Sequence, residues 1–381
     1  MTAPSLAAAS RALRTQFFVT GALFATWGVH VPTVKTHYGL GEQSLAIAML
    51  ASGVGALIAL AQAGRVVGRY GPRAVSAVMG LLCSAAVASL IALPQYAALL
   101  VVMGVFGISA SLFDVAINAE ASEIERQAAK PLMSGFHGMF SLGGMCGAGL
   151  GSVAPALGLS AQGHLLLATG AALAALLLAC RAMLPPPEPH EAGGKQPLSI
   201  PRGPLLLLGV LASMGLIAEG AMYDWSVLFM KQERGSQAST AALAYASFSG
   251  AMAAGRFGGD WVRGRVPAPR LMRASGVLAA AGMALALAVP VPGVALGGFA
   301  LVGLGLSNVV PVLFSAASQV PGVSPAHGIA AVSGMGYLGM MAGPPLIGLV
   351  AEHSSLTTGL LVVVVFAVFM ALSAKRALRA A

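Results

Sequence analysis

The sequence predicts an all-α membrane protein with twelve transmembrane helices arranged as two pseudo-symmetric six-helix bundles. Hydrophobic residues make up 57% of the 381 residues and charged residues only 9%, whereas a soluble domain carries about 25% charged residues. This composition excludes a soluble globular enzyme and a disordered chain. A bilayer core needs about 20 helical residues to cross it. The predicted spans are 15–35, 43–64, 74–93, 96–119, 132–155, 163–184, 204–230, 239–258, 270–289, 293–318, 326–350 and 355–374.

The distribution of basic residues predicts the orientation of these spans. With the N-terminus in the cytoplasm, only three of the 21 Lys and Arg residues fall on outer connections, namely Lys35, Lys231 and Arg234. Cytoplasmic connections are enriched in Lys and Arg, so both termini are expected inside, as in a multi-pass protein of a bacterial inner membrane. The net charge of +9 then indicates contact with anionic lipid headgroups rather than with nucleic acid.

An internal repeat divides the chain into two halves. Residues 185–203 are rich in Pro, Gly and charge, which is typical of a linker without a packed core. They separate a bundle at 1–184 from a bundle at 204–381, each with six predicted spans. Three short patterns recur 190 to 196 residues later: Ala63-Gly64-Arg65 as Ala254-Gly255-Arg256, Asn118 as Asn308, and Gly143 with Gly147 as Gly339 with Gly343. Parallel repeats of this kind are typical of transporters whose substrate site lies between the halves.

The connection after the second span carries a family resemblance. Gly64-Arg65-Val66-Val67-Gly68-Arg69-Tyr70-Gly71-Pro72-Arg73 resembles the signature loop of the major facilitator superfamily, although Gly68 stands where that pattern has aspartate. A second copy follows as Gly255-Arg256-Phe257-Gly258-Gly259-Asp260. The resemblance implies that both segments are cytoplasmic loops that latch the halves in the outward-facing state. The residues expected to do so are Gly64, Arg65, Arg69, Gly71, Arg73, Gly255, Arg256 and Asp260.

Two further spans carry resemblances within this superfamily. Asp114-Val115-Ala116-Ile117-Asn118 resembles the fourth helix of fucose-permease-like sugar:proton symporters. The segment Ala218–Ser226 in the seventh span is similar to a poorly characterised branch, which implies no substrate. Uptake coupled to protons is what the first resemblance implies.

Asp114, Asn118 and His137 form the first group of candidate residues. Asp114 and Asn118 are four residues apart, so they share one helix face. His137 is expected at a similar depth in the next span, about 8 Å from its cytoplasmic end. Charges inside a bilayer are costly and mark functional sites. The sequence therefore predicts a proton-accepting carboxylate tuned by His137, and the alternative is a structural hydrogen bond between two helices.

His30 and Glu219 form the second candidate group. They lie at matching depths in the first spans of the two halves, toward the outer side. An imidazole and a carboxylate that meet across the halves can respond to protonation and gate the outer side. The alternative is a static pair, or a Glu219 that faces a helix of its own half.

Several uncharged residues are candidates for substrate binding. Trp27 and Tyr223 can stack on a substrate ring, although Trp and Tyr also gather at membrane interfaces. Asn118 and Asn308 can donate hydrogen bonds to a hydroxyl group, and Thr26 lies on the helix face of His30. The acidic stretch that contains Glu120, Glu123 and Glu125 is instead interpreted as a solvated, salt-bridged loop.

These patterns predict a secondary active transporter of a small polar solute, working by alternating access and coupled to protons, most simply for uptake. No Walker loop or zinc-protease motif occurs, and Cys83, Cys146 and Cys180 lack metal-ligand spacing, so no enzyme activity, metal or cofactor is expected. The expected partners are a small-molecule substrate, protons and membrane lipid, and the chain is expected to be a monomer. Two alternatives stay open: proton-driven efflux of amphipathic compounds, and a non-transporting sensor with the same fold.

Overall fold

A computed structural model of the protein describes residues 5–129, 132–185, 202–317, 319–321, 323 and 325–378. The side chains of residues 260, 325–327, 329 and 330 lie outside this description, as do residues 186–201 of the linker predicted at 185–203. The chain divides into two compact units, Met1–Lys195 and Gln196–Ala381. The predicted division into bundles at 1–184 and 204–381, with a linker at 185–203, stays a prediction.

Every regular element in the described residues is a helix. The N-terminal unit contains α1 (Leu6–Tyr38), α2 (Glu42–Ala88), α3 (Tyr96–Ala128), α4 (Met133–Val153) and α5 (Ala161–Cys180), with a short 3-10 turn at Pro155–Leu157. The C-terminal unit contains α6 (Pro204–Gln232), α7 (Ala238–Arg263), α8 (Ala268–Ala288), α9 (Pro292–Leu306), α10 (Val309–Ala317), α11 (Pro325–His353) and α12 (Leu356–Ala377).

The helices correspond to the predicted spans with two differences. The 47 residues of α2 cover the second and third spans, and at about 1.5 Å per residue they are long enough to cross a bilayer twice. Conversely, α9 and α10 together cover the tenth span. Within the described residues, nine helical spans are long and apolar enough to cross a membrane. The all-helical membrane fold is therefore confirmed, and the count of twelve spans stays a prediction.

The signature segment is helical, so the expectation of a loop at 64–73 is wrong. Helix α2 runs through it and departs from helical geometry at Gly71, where φ is 78° and ψ is 154°. Only glycine adopts this conformation at little cost. Pro72 follows and has no N–H to donate to the preceding turn. Residues 64–70 contain no such interruption, so the helix continues to Gly71. The second copy, 255–260, likewise lies inside α7.

The two units repeat the same internal packing. In the N-terminal unit α1 packs on α4 and α2 packs on α3, and in the C-terminal unit the equivalent pairs are α6 with α11 and α7 with α9. Small residues allow the helix backbones to approach closely. A Cβ atom on Gly143 of α4 would lie 1.9 Å from the carbonyl oxygen of Phe18. A Cβ atom on Gly339 of α11 would lie 2.6 Å from Cβ of Ser213.

We expect the substitution Gly143→Ala to destabilise the N-terminal unit by roughly 1–3 kcal/mol, because the added methyl group meets the backbone of α1 rather than a movable side chain. Gly149→Ala is the matched control in the same helix, since a Cβ atom there meets nothing within 4 Å. Unfolding of the detergent-purified protein against temperature or denaturant measures both changes. Equal stability of the two variants would contradict the close α1–α4 approach.

Candidate functional site

A buried charged cluster joins α6 and α7. Glu219 lies 15 residues after the first residue of α6, about 22 Å along its axis, and therefore deep within a membrane-spanning helix. Its Oε1 accepts a hydrogen bond from Nη2 of Arg256 at 3.0 Å. The Tyr223 hydroxyl, one helical turn after Glu219, donates to the same oxygen at 3.1 Å. Glu219 is 7% exposed and Tyr223 6%, so this ion pair is largely removed from solvent.

Aromatic rings line one side of this cluster. The Tyr223 ring packs against Tyr245 at 5.0 Å between centroids and edge-on against Phe248 at 5.2 Å. Tyr245 is fully buried, and its hydroxyl has no hydrogen-bond partner among the described residues. An unpaired buried hydroxyl costs about 1–3 kcal/mol, so a polar group brought beside Tyr245 would gain a hydrogen bond.

Asn308 lies beside the helix segment that carries Arg256. It occupies the break between α9 and α10, and its side-chain amide donates to the Gly255 carbonyl at 3.5 Å and to the Ser307 hydroxyl at 3.1 Å. A Cβ atom on Gly259 would lie 2.5 Å from the Asn308 Oδ1 atom. Gly259 on α7 therefore leaves space for the Asn308 side chain. Through its bond to Gly255, Asn308 holds the junction of α9 and α10 against α7. Its predicted contact with substrate stays a prediction.

Asp114 and Asn118 interact directly, as their spacing predicts. The Asn118 amide donates to the carboxylate Oδ1 of Asp114 at 3.0 Å and to its backbone carbonyl at 2.9 Å. Both side chains are partly buried. Asp114 lies 18 residues, or about 27 Å, after the start of α3 and 14 residues before its end. Within the described part of the chain, Asp114 makes no ion pair.

The two histidines of the prediction have different surroundings. The His137 ring packs edge-on against Phe17 of α1, with 5.2 Å between centroids. The His30 Nε2 atom lies 2.8 Å from Nδ1 of His164 in α5, and both rings are buried. A hydrogen bond between two imidazoles requires one to donate and the other to accept. The pairings of Asp114 with His137 and of His30 with Glu219 stay predictions.

The remaining candidates occupy several settings. Thr26 donates its hydroxyl to the Ala22 carbonyl at 2.8 Å, and Trp27 is 4% exposed. Arg65 is exposed and donates to Gln62 at 3.1 Å, while Arg69 lies over the Tyr70 ring at 5.4 Å. Thr26 and Arg65 therefore bond neighbours in their own helices, and their predicted roles stay predictions. The Asp260 side chain lies outside the described residues.

Sequence reasoning missed His164, Tyr245 and the burial of Glu120. Glu120 is 2% exposed and accepts a hydrogen bond from the Leu184 backbone N–H at 2.6 Å, so its interpretation as a solvated loop residue is wrong. It belongs to α3, which continues to Ala128 and carries Glu120 into contact with Leu184, four residues after the end of α5. A polar residue inside an apolar stretch was the available signal for His164 and Tyr245.

The chemistry available to these groups is proton exchange and hydrogen bonding. In the described residues, no group of three or more His, Cys, Asp or Glu side chains could hold a metal ion. The cysteines at 83, 146 and 180 are free thiols. Carboxylates and imidazoles that bind and release protons inside membrane helices are typical of transport pathways.

Comparison with solved structures identifies the fold. The chain aligns with a nucleoside transporter, NupG, at a TM-score of 0.66 and 17% identity, covering 97% of this chain and 98% of that one. It aligns with a D-xylose–proton symporter at a TM-score of 0.75 and 12% identity, covering 96% of each chain. At these identities the likeness concerns the fold alone.

Sequence comparison identifies the family. An uncharacterized MFS-type transporter of Yersinia pestis is 35% identical over 370 residues, which cover 96% of this chain and 95% of that protein. Membrane protein MosC of Rhizobium meliloti is 32% identical over 359 residues, covering 93% and 87%. The model of the Major Facilitator Superfamily matches residues 15–326. The chain therefore belongs to the major facilitator superfamily, and it is a membrane-spanning transporter rather than an enzyme.

Proposed function

We propose that this transporter moves a small polar solute across the bacterial inner membrane by alternating access, and that it couples uptake to protons through Asp114. Asp114 carries the proposal because it is a partly buried carboxylate at membrane depth whose hydrogen-bond partner is an amide, Asn118. An amide supplies no positive charge to hold the carboxylate ionised. Binding a proton removes the cost of carrying that charge inside the membrane.

Glu219 has a different role in this proposal. Its carboxylate is paired with the guanidinium of Arg256, which keeps its own charge. We therefore assign Glu219 and Arg256 to holding α6 and α7 together around Tyr223, and proton exchange to Asp114. Proton exchange at Glu219, His30 or His137 is the alternative within the same proposal.

Several uncharged groups support a polar substrate. Asn118 keeps acceptor capacity on its amide oxygen, and Tyr245 has a hydroxyl without a partner among the described residues. The Tyr223 ring lies 5.0 Å from the Tyr245 ring between centroids, tilted by 36°. A hydroxylated solute would supply donors and acceptors to such groups. We include Asn308, Trp27 and Thr26 as further substrate contacts, and we place both termini in the cytoplasm because of the positive-inside distribution.

The first test identifies a solute and its direction of movement. Sugars and nucleosides are screened by thermal shift, starting with D-xylose and uridine, and each hit is tested for counterflow in proteoliposomes. If the protein catalyses uptake, the solute should accumulate inside the proteoliposomes when a proton gradient is directed inward. Accumulation driven only by a gradient of the opposite sign would instead establish efflux, and binding without flux for every hit would contradict transport.

We expect Asp114→Asn to abolish accumulation driven by a proton gradient while counterflow, which needs no net proton movement, persists. Asparagine retains an oxygen that can accept from Asn118, so the local hydrogen bond is preserved. The measurement compares counterflow and gradient-driven uptake of the same solute at pH 6 and pH 8. Glu123→Gln is the matched control, because Glu123 is an exposed carboxylate of the same helix. Unchanged gradient-driven uptake in Asp114→Asn would contradict coupling through this residue.

We expect Glu219→Gln and Arg256→Gln each to destabilise the protein by about 3–5 kcal/mol, because each leaves one buried charge without its partner. The double variant removes both charges and should lose clearly less than the sum of the two single effects. Unfolding in detergent measures all three. The exposed pair Glu123–Arg126 is the control, and its removal should cost at most about 1 kcal/mol. Additive losses at Glu219 and Arg256 would contradict a tightly coupled pair.

A further inference from the structure

Four helix ends of the C-terminal unit surround a cavity of about 490 Å³. The cavity lies where α7, α10 and α12 end and α8 begins. Its lining includes the guanidinium-bearing Arg263, the polar Ser315 and Gln319, the exposed Ala268, and the apolar Leu271 and Val312. This volume falls within the range of small-molecule sites, roughly 300–1,000 Å³. The lining is both charged and apolar, which suits an amphiphilic ligand better than a free ion.

The chain segments that end or begin at this cavity are rich in basic residues, and Arg263 belongs to the cavity lining. Six cations occur in the segments 257–273 and 370–378, against a single acidic residue, Asp260. Arg270 and Arg273 lie in the first two turns of α8, where the positive end of the helix dipole disfavours cations. Both are exposed, and neither makes an ion pair with a described residue. Such an uncompensated positive charge attracts an anion.

Exposed aromatic residues indicate the depth of the cavity in the membrane. Trp261 is 64% exposed and Phe257 is 52% exposed, and both belong to the last turns of α7. The Arg265 guanidinium lies over the Trp261 ring at 4.3 Å. Trp residues concentrate at the boundary between headgroups and hydrocarbon, and Arg side chains reach from there toward water. The cavity therefore lies at the level of the lipid headgroups.

The geometry points to a binding site for an anionic phospholipid in this cavity, with the phosphate group near Arg263 and the glycerol and upper acyl chain against Leu271 and Val312. Basic pockets between transmembrane helices bind anionic headgroups in this manner. The positive-inside distribution of the sequence places this end toward the cytoplasmic leaflet, which is rich in anionic lipid. This site is separate from the proposed transport groups, and its existence does not depend on the proposed function.

Native mass spectrometry of the delipidated full-length protein tests the site directly. The protein is titrated with phosphatidylglycerol and, separately, with phosphatidylcholine. We expect preferential binding of phosphatidylglycerol, and about fivefold weaker binding in Arg263→Gln, since one basic residue near the headgroup is removed. Ala268→Trp should weaken binding without changing the charge, because Ala268 is exposed and a larger side chain there fills the cavity rather than the core.

The matched control is Arg181→Gln, which removes one exposed cation from the end of α5 in the other unit. We expect it to bind phosphatidylglycerol as the unsubstituted protein does. Equal loss in Arg181→Gln would show a general charge effect and overturn the site. Unchanged binding in both Arg263→Gln and Ala268→Trp would overturn it as well. If inorganic phosphate stabilises the lipid-free protein in an Arg263-dependent manner, the ligand is a free anion and the lipid assignment fails.

Discussion

The cost of leaving a polar group without a partner inside hydrocarbon governs the architecture of this protein. Helices satisfy their own backbone groups, and this explains why every regular element in the described residues is helical. The same cost applies to side chains, so a charged or polar side chain inside the membrane is more stable when a partner lies beside it. Arg256 is partly buried in a membrane helix, where it is paired with Glu219, which also accepts a hydrogen bond from Tyr223. His30 and His164 likewise share a hydrogen bond in a buried position.

Close backbone approach supplies the stabilisation that the hydrophobic effect does not provide between helices in lipid. Gly143 and Gly147 of α4 meet Phe18 and Ala22 of α1. In the second unit Gly339 and Gly343 of α11 meet Ser213 and Ile217 of α6. The partners are related by nearly the same sequence offset as the glycines themselves. The two units therefore share these pairs of contacting positions on equivalent helices. The glycines of these pairs are part of the internal repeat that the sequence shows.

Hydropathy and spacing predicted the helical spans and the repeat because both properties follow directly from residue order. The run of 64–73 was misassigned because its break depends on one glycine conformation, at Gly71, which composition does not reveal. Depth also follows from residue count, so the buried positions of His30 and Glu219 were predictable. Their partners were not, because His164 and Arg256 reach them through the packing of one helix on another, between α1 and α5 and between α6 and α7. Glu120 shows the same limit, since its partner Leu184 lies 64 residues later, beyond the end of α5.

Equivalent positions of the repeat have acquired different chemistry. Arg65 is exposed and bonded to a neighbouring glutamine, whereas Arg256 is partly buried and bonded to Glu219. A Cβ atom on Gly68 would meet open space, but one on Gly259 would collide with Asn308. Asn118 in turn bonds Asp114 within its own helix, while Asn308 bonds the Gly255 carbonyl. Among the described residues, Asp114 of the first unit makes no ion pair, whereas Glu219 of the second unit is paired with Arg256. This difference is the reason for proposing proton exchange at Asp114 and a fixed ion pair at Glu219 and Arg256.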